Sequence, residues 1–442
     1  MKRILLSVAA VAVATAAMGQ QYWTLGDCIE YALEQNIALQ QRQVQVDNQK
    51  IQLQTTQFSR LPMIQGSISE NYNIGRAQNR EGVYEDRGSA TTSMGANASV
   101  TVFQGLRIYN QAKADKLSLE AATQDLEQAR QDLSINITAA YLQVLYTKEN
   151  EKVAQRQVDI NTELLNRTKK MVEAGRSSQS ELYDAESALA SAQSSLVDAV
   201  NSRQTAILDL AQAMNYTDYN SLDVQTPIVD NLLDEAMIAL SPVDSIYTDY
   251  ITRRPSVQAA QKRLQQAERQ VKVAQASYYP SINFGASYNT GYYSAQALAG
   301  GTGSFWQQLS QNGSPSVGVS MSVPIFTRLQ VRNSVRTARN AVKTQQLSLD
   351  QERLTVYKEV QQAYVNAKAA YGKYLSGLKS EDAARKAFEF EQKKFDSGRS
   401  TAYQYNEVGM KLANASAQLA QAKYSFILRV KILDFYKGEP LY

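Results

Sequence analysis

The chain has 442 residues, 44% of them hydrophobic and 20% charged, with only 8 prolines and 21 glycines. So few breakers over that length predict a small number of very long elements. There is no histidine, which removes catalytic triads, imidazole acid–base chemistry and most zinc sites. Gly-rich phosphate loops, CxxC and GxSxG are also missing from the sequence, so no enzyme, cofactor site or metal site is expected.

At the start, Lys2 and Arg3 precede the apolar run Ile4 to Ala14, and small residues follow to Ala17-Met18-Gly19. This is the pattern of a secretory signal peptide, residues 1–19. The apolar run is too short to span a bilayer, and no Cys follows the cut to carry a lipid. Taking Lys2 and Arg3 from the 46 basic residues leaves 44 against 42 acidic, a net charge of +2. That balance offers no concentrated basic face for nucleic acid. The single cysteine, Cys28, opens a helical pattern and reads as a packing residue, not a reactive thiol.

Past the leader the chain is a duplication. Asn36 to Pro62 aligns with Arg254 to Pro280 at an offset of 218. Phe103, Ala140-Tyr141 and Gly175-Arg176-Ser177 match Phe326, Ala363-Tyr364 and Gly398-Arg399-Ser400 at 223, the difference lying in the glycine-rich insertion "ALAGGTGS". The first repeat, 20–222, is predicted to hold helices, strands 63–74 and 92–103, a long helix 106–174 and a helix 176–214. The second, 223–442, follows with strands 280–293 and 315–326, a long helix 327–397 and a helix 399–437.

Leu106 to Ala174 contains neither Gly nor Pro over 69 residues, and an unbroken helix of that size would run roughly 100 Å. Such a helix needs a coiled-coil partner, and the next segment supplies the seam. Leu182, Ala185, Leu189, Ala192, Leu196 and Ala199 keep a three-four spacing that resumes after Arg203 with Ala206, Leu210 and Ala213. Tyr405, Val408, Leu412, Ala415, Leu419, Ala422 and Phe426 repeat it, with Arg429 as the break. The returning segment, Arg176 to Met214, is too short to flank the long helix alone. The helical stretch between Gly26 and Pro62 is expected to abut it and complete the wall.

Four segments have period two instead. Ile64, Ile68 and Tyr72, then Met94, Ala96, Ala98 and Val100, then Ile282, Phe284, Ala286 and Tyr288, then Val317, Val319 and Met321 alternate with Gln, Ser, Asn, Thr or Gly. One face is apolar and the other small and polar, over about ten residues, the length of a tilted membrane-spanning strand. Glu70 falls on the apolar parity, as at an interface or a bulge. Tyr72, Tyr278, Tyr279, Tyr288, Tyr292, Tyr293, Phe103 and Phe326 stand near strand ends, where an aromatic girdle belongs. Four strands cannot close a barrel, and open edges in lipid are costly, so other copies must complete it. Two copies give eight strands and a filled barrel, three give twelve and an open bore.

Strand pairs after Leu61-Pro62 and Tyr279-Pro280, "VFQGLRIYNQAKA" and "IFTRLQVRNSVRTA" opening the long helices, and "AGRSSQSELYDAE" and "SGRSTAYQYNEV" at the tips together resemble the TolC-like outer membrane efflux proteins. The resemblance covers essentially the whole mature chain. It implies a homotrimer with a 12-stranded barrel in the lipid of the bacterial outer membrane, a 12-helix tunnel in the periplasm, and an equatorial region from Tyr216 to Tyr250 with the C-terminal end. The function implied is a duct passing substrates from an inner-membrane pump and periplasmic adaptor protein to the exterior. It implies a periplasmic gate at Glu181, Asp184, Phe395, Gln404 and Glu407, with Gln404 neutral where the family is acidic, Phe395 where it can have tyrosine, and Ser400 where it can have arginine. Ala174, Gly175, Arg176, Ser397, Gly398 and Arg399 would be the tips touching the adaptor, although a glycine there also serves as a helix C-cap. The three carboxylates equally fit a solvated helix face.

A protein-secretion or metal-efflux duct would share this fold, but no lumen-lining Met or Cys cluster points to copper or silver. A secreted coiled-coil scaffold is the reading from a different class. It leaves the four amphipathic strands without a purpose.

Overall fold

The computed structural model describes residues 22–78, 83–226, 243–294, 304–439 and 441. The expected signal peptide, residues 227–242 of the expected equatorial region and nearly all of the glycine-rich insertion lie outside the described residues.

In chain order the structure holds β1 (Tyr22–Trp23), α1 (Leu25–Gln35), α2 (Ile37–Phe58), β2 (Met63–Gln78), β3 (Tyr84–Gln104), α3 (Arg107–Glu173) and α4 (Gln179–Met214). There follow β4 (Asp223–Val224), α5 (Val243–Arg253), α6 (Pro255–Gln275), β5 (Ser281–Tyr293), α7 (Phe305–Gln311), β6 (Ser314–Ser322), α8 (Gln330–Asp396) and α9 (Ala402–Lys437). Both long helices, α3 and α8, have 67 residues, and both returning helices, α4 and α9, have 36. The duplication is therefore structural as well as sequential.

The chain forms two units: Gln45–Thr123 with Ala259–Asp350, and Met1–Val44 with Gln124–Gln258 and Gln351–Tyr442. The first unit carries an antiparallel sheet in the order β2-β3-β5-β6. Its register puts Ile64 opposite Ala98, Ile68 opposite Met94, Phe284 opposite Val100 and Val319, and Ile282 opposite Met321. Every apolar residue of the alternation thus falls on one face, as the pleat requires. That face is uncovered within the single chain, with Ile64 77% and Val317 72% exposed. Glu70 marks no bulge, because it pairs with Thr92 in unbroken register and accepts a hydrogen bond from the Thr92 hydroxyl. The one register shift lies between Thr101 and Phe103.

β2 and β3 extend past the segments expected from alternation. Their outer ends mix charged residues, with Arg76 3.8 Å from Asp86, and apolar ones such as Ala77 and Tyr84 on opposite parities, so pairing continues there without a period-two signal. β6 stops short of 326 because Pro324, two residues past Ser322, has no N–H for the ladder. The following helix starts at Gln330, after Arg328 and Leu329 adopt left-handed backbone (φ 49° and 63°). The same turn occurs one repeat earlier at Gly105 and Leu106 (φ 57° and 61°).

The other unit is held by a core in which Cys28, Ile29 and Ala32 of α1 pack with Ile137, Val144 and Leu145 of α3, Leu210 and Met214 of α4, and Phe426 and Val430 of α9. Burial pushes the Cys28 thiol up to about 12. β1 and β4 pair in parallel beside this core, and the Tyr141 hydroxyl donates to Gln225 O at 2.6 Å, fixing the end of β4. Asn36 separates α1 from α2, its Oδ1 accepting from Ala38 N–H at 2.9 Å and its Nδ2 donating to Ala213 O at 3.0 Å. Along α4 the alanines of the seam, Ala185, Ala192, Ala199 and Ala206, are buried, and Arg203 at the break pairs with Glu151 of α3.

Candidate functional site: the helical hairpin tips

Both long helices end in the same turn. At Ala174-Gly175-Arg176, Arg176 N–H donates to Met171 O at 2.8 Å and Gly175 N–H to Val172 O at 2.9 Å. At Ser397-Gly398-Arg399, Arg399 N–H donates to Lys394 O at 2.8 Å and Gly398 N–H to Phe395 O at 3.0 Å. These are Schellman motifs, which satisfy the last carbonyls of a helix through a residue in left-handed backbone. Gly175 and Gly398 have φ 70° and 72°, and a Cβ on either would meet nothing within 4 Å. Backbone conformation, not crowding, calls for glycine here.

The returning helices restart within a few residues. Ser178 caps α4 by accepting from Glu181 N–H at 3.3 Å. Thr401 caps α9 in a capping box: its Oγ1 accepts from Gln404 N–H at 3.2 Å, and Gln404 Oε1 accepts from Thr401 N–H at 3.5 Å. This pairs two otherwise orphaned donors.

Above the turns a small apolar cluster joins the two hairpins: Leu164 of α3, Ala185 of α4, Phe388 and Phe395 of α8, Ala402 and Tyr405 of α9. Phe395 stacks on Tyr405 with centroids 4.9 Å apart, and burial raises the Tyr405 phenol above its ordinary value. At the edge of the cluster Arg167 of α3 donates to Asp396 at the end of α8, and to Glu163 at 2.7 Å. Within the second hairpin the Ser400 hydroxyl donates to Glu391, which Lys394 approaches at 3.3 Å. The Ser400 hydrogen bond holds the Glu391 carboxyl below its ordinary value.

The residues picked out by resemblance occupy different settings. Phe395 is buried in the aromatic cluster. Gln404 caps α9, with Ser400 Oγ 3.3 Å from its Oε1. Glu407 lies one turn further on and takes Lys411 at 2.6 Å, an i,i+4 pair. Glu181 accepts a hydrogen bond from Ser177, and Asp184 is exposed and has no ion pair among the described residues. Neither Glu181 nor Asp184 bonds to the second hairpin among the described residues.

Arg167, Asp396 and Glu391 were not singled out from sequence. At an offset of 223 they stand opposite Phe390, Glu173 and Thr168. The two copies share little identity over this stretch and Asp396 faces another acid, so comparison of the repeats carries no signal for these residues. Nothing in the cluster pairs a nucleophile with a base, and no group of three or more metal-binding side chains forms among the described residues. What the arrangement can do is mechanical: the Arg167–Asp396 link and the apolar cluster join the two hairpins, while the Ser400–Glu391 hydrogen bond and the Phe395–Tyr405 stack brace the second.

Residues 28–216 and 246–438 match the sequence profile of a family described as outer membrane efflux protein. The chain is 24% identical over 275 residues to an uncharacterized protein of Haemophilus influenzae, spanning 61% of this chain and only 58% of that protein. It is 22% identical over 370 residues to outer membrane protein TolC of Vibrio cholerae, spanning 84% and 80% of the two chains. Its fold is similar to the CmeC outer membrane channel of Campylobacter jejuni, with a TM-score of 0.75 over 94% of this chain and 85% of that one at 19% identity.

Proposed function

Because this chain belongs to the outer membrane efflux protein family, a family of non-enzymatic outer membrane channels that extend into the periplasm, we propose that three copies close one 12-stranded barrel and one helical tunnel. The observation that carries this reading is the four-stranded sheet, apolar on one uncovered face and open at β2 and β6. In hydrocarbon each unpaired backbone group costs several kcal/mol, so both edges must be covered by other copies. Twelve strands leave a bore wide enough for solutes, and eight do not.

Substrates enter from an inner-membrane pump through a periplasmic adaptor, which docks on the Schellman turns at Ala174, Gly175, Arg176 and Ser397, Gly398, Arg399. The gate lies in the adjoining hairpins, at Glu181, Asp184, Phe395, Gln404 and Glu407, with Arg167, Asp396, Glu391 and Ser400 as the links that hold it. Opening exchanges those links while the Phe395–Tyr405 stack keeps the second hairpin intact. Single cysteines placed along β2 and β6 test the closure. Cross-linking of a β2 cysteine to a β6 cysteine in another chain, with a limit of three chains per complex, supports it; bands that stop at dimers or continue into ladders contradict it.

A further inference from the structure

A cavity of about 990 Å³ lies where the end of β3, the C-terminal end of α6 and the first turns of α8 meet, all within one unit. Lys272 of α6 and Arg332, Arg336 and Arg339 of α8 line it, with Tyr278, Tyr279 and Phe103. None of the four cations forms an ion pair among the described residues. Five cations, Arg328, Arg332, Arg336, Arg339 and Lys343, precede the first acidic residue of this segment, Asp350, and the first turn of α8 has no acid. Arg332, Arg336 and Arg339 are spaced four and three apart, on one helix face, so they repel one another and oppose the macrodipole. A cluster placed at such a cost to the helix suits an anion that offsets it.

The other wall identifies the class of anion. Phe103 pairs in register with Ile282, on the sheet face that carries Phe284, Val319 and Met321. The basic cavity therefore opens at the foot of the apolar face, with the exposed Tyr278 and Tyr279 in its own lining. A free phosphate has no use for that apolar continuation, whereas an anionic amphiphile uses both parts. We propose that this cavity holds the phosphate of an anionic phospholipid in the periplasmic leaflet, its acyl chains along the apolar face and its headgroup among Lys272, Arg332, Arg336 and Arg339. Arginine forks match phosphate oxygens, and tyrosines stand at the interfacial level where such a headgroup lies. The assignment rests on the sheet standing in the outer membrane.

The test is native mass spectrometry of the full-length assembly, released from nanodiscs after titration with phosphatidylglycerol or phosphatidylcholine. The wild type is expected to bind phosphatidylglycerol at least about tenfold more tightly. Arg336→Gln with Arg339→Gln should abolish that preference, while Lys373→Gln, an exposed cation elsewhere on α8, leaves it intact. No preference in the wild type, an undiminished preference in the double variant, or inorganic phosphate binding as tightly as the lipid would each overturn the assignment. If the double variant fails to assemble, the wild type decides: its preference must weaken between about 50 mM and about 500 mM salt, and a salt-insensitive preference overturns the site. Failure of the wild type to enter nanodiscs at all would overturn the membrane reading and this site with it.

Discussion

Gly105 and Arg328 sit at equivalent places in the two repeats, both in left-handed backbone, yet their surroundings differ. A Cβ on Gly105 would lie 2.6 Å from Ala276 O and 2.9 Å from Tyr279 Cβ, while Arg328 already carries a side chain there. Gly105→Ala is expected to destabilise the protein by more than about 2 kcal/mol, adding a clash to the left-handed penalty. Arg328→Gly should be neutral or stabilising by about 1 kcal/mol. Thermal unfolding of the two variants checks the asymmetry, and equal losses would refute it. At Cys28 the sign of the titration matters. The folded thiol is raised from 9.0 to about 12, so its contribution to stability is intact below pH 9 and is lost as pH rises from there toward 12. Maleimide should leave Cys28 unlabelled at pH 8 in the folded protein and label it fully in denaturant; rapid labelling of the folded state would show that α1 is not packed as described.

The tip links are properties of whole hairpins. With its pKa depressed by Ser400, Glu391 contributes stability above its ordinary value of 4.5 that is lost as pH falls below it. Ser400→Ala should weaken the second hairpin at neutral pH by about 1 kcal/mol and flatten its acid sensitivity. Hydrogen exchange of the α8–α9 turn at pH 7 and pH 4 measures this, and an unchanged pH dependence would remove Ser400 from the account. Elements of this size also show what sequence makes visible. The 67-residue helices, the alanine seam and the alternating strands were legible because each repeats a period many times. β1 and β4 were not, since two-residue strands have no period and Tyr22 pairs with Asp223 across two hundred residues of chain. α7, beside the glycine-rich insertion, was missed for a similar reason: its 7 residues are fixed by Gln308, which bonds the Tyr293 backbone in both directions. The Arg167–Asp396 link joins the two repeats, and nothing in either segment alone announces it.

On the scale of the molecule, a single chain leaves two sheet edges and an apolar face uncovered, and no helix of the described residues is long and apolar enough to cross a membrane. Membership of the outer membrane efflux protein family and the open sheet are the two observations behind the proposal that the membrane-spanning part is a barrel shared between copies. Stability and assembly are then one equilibrium, because a monomer in lipid would carry both open edges. The most direct measurement is the mass of the complex extracted in detergent from fractionated membranes. Three copies per particle, recovered from the outer membrane, are the predicted result. A monomer recovered from the soluble periplasm would contradict the account.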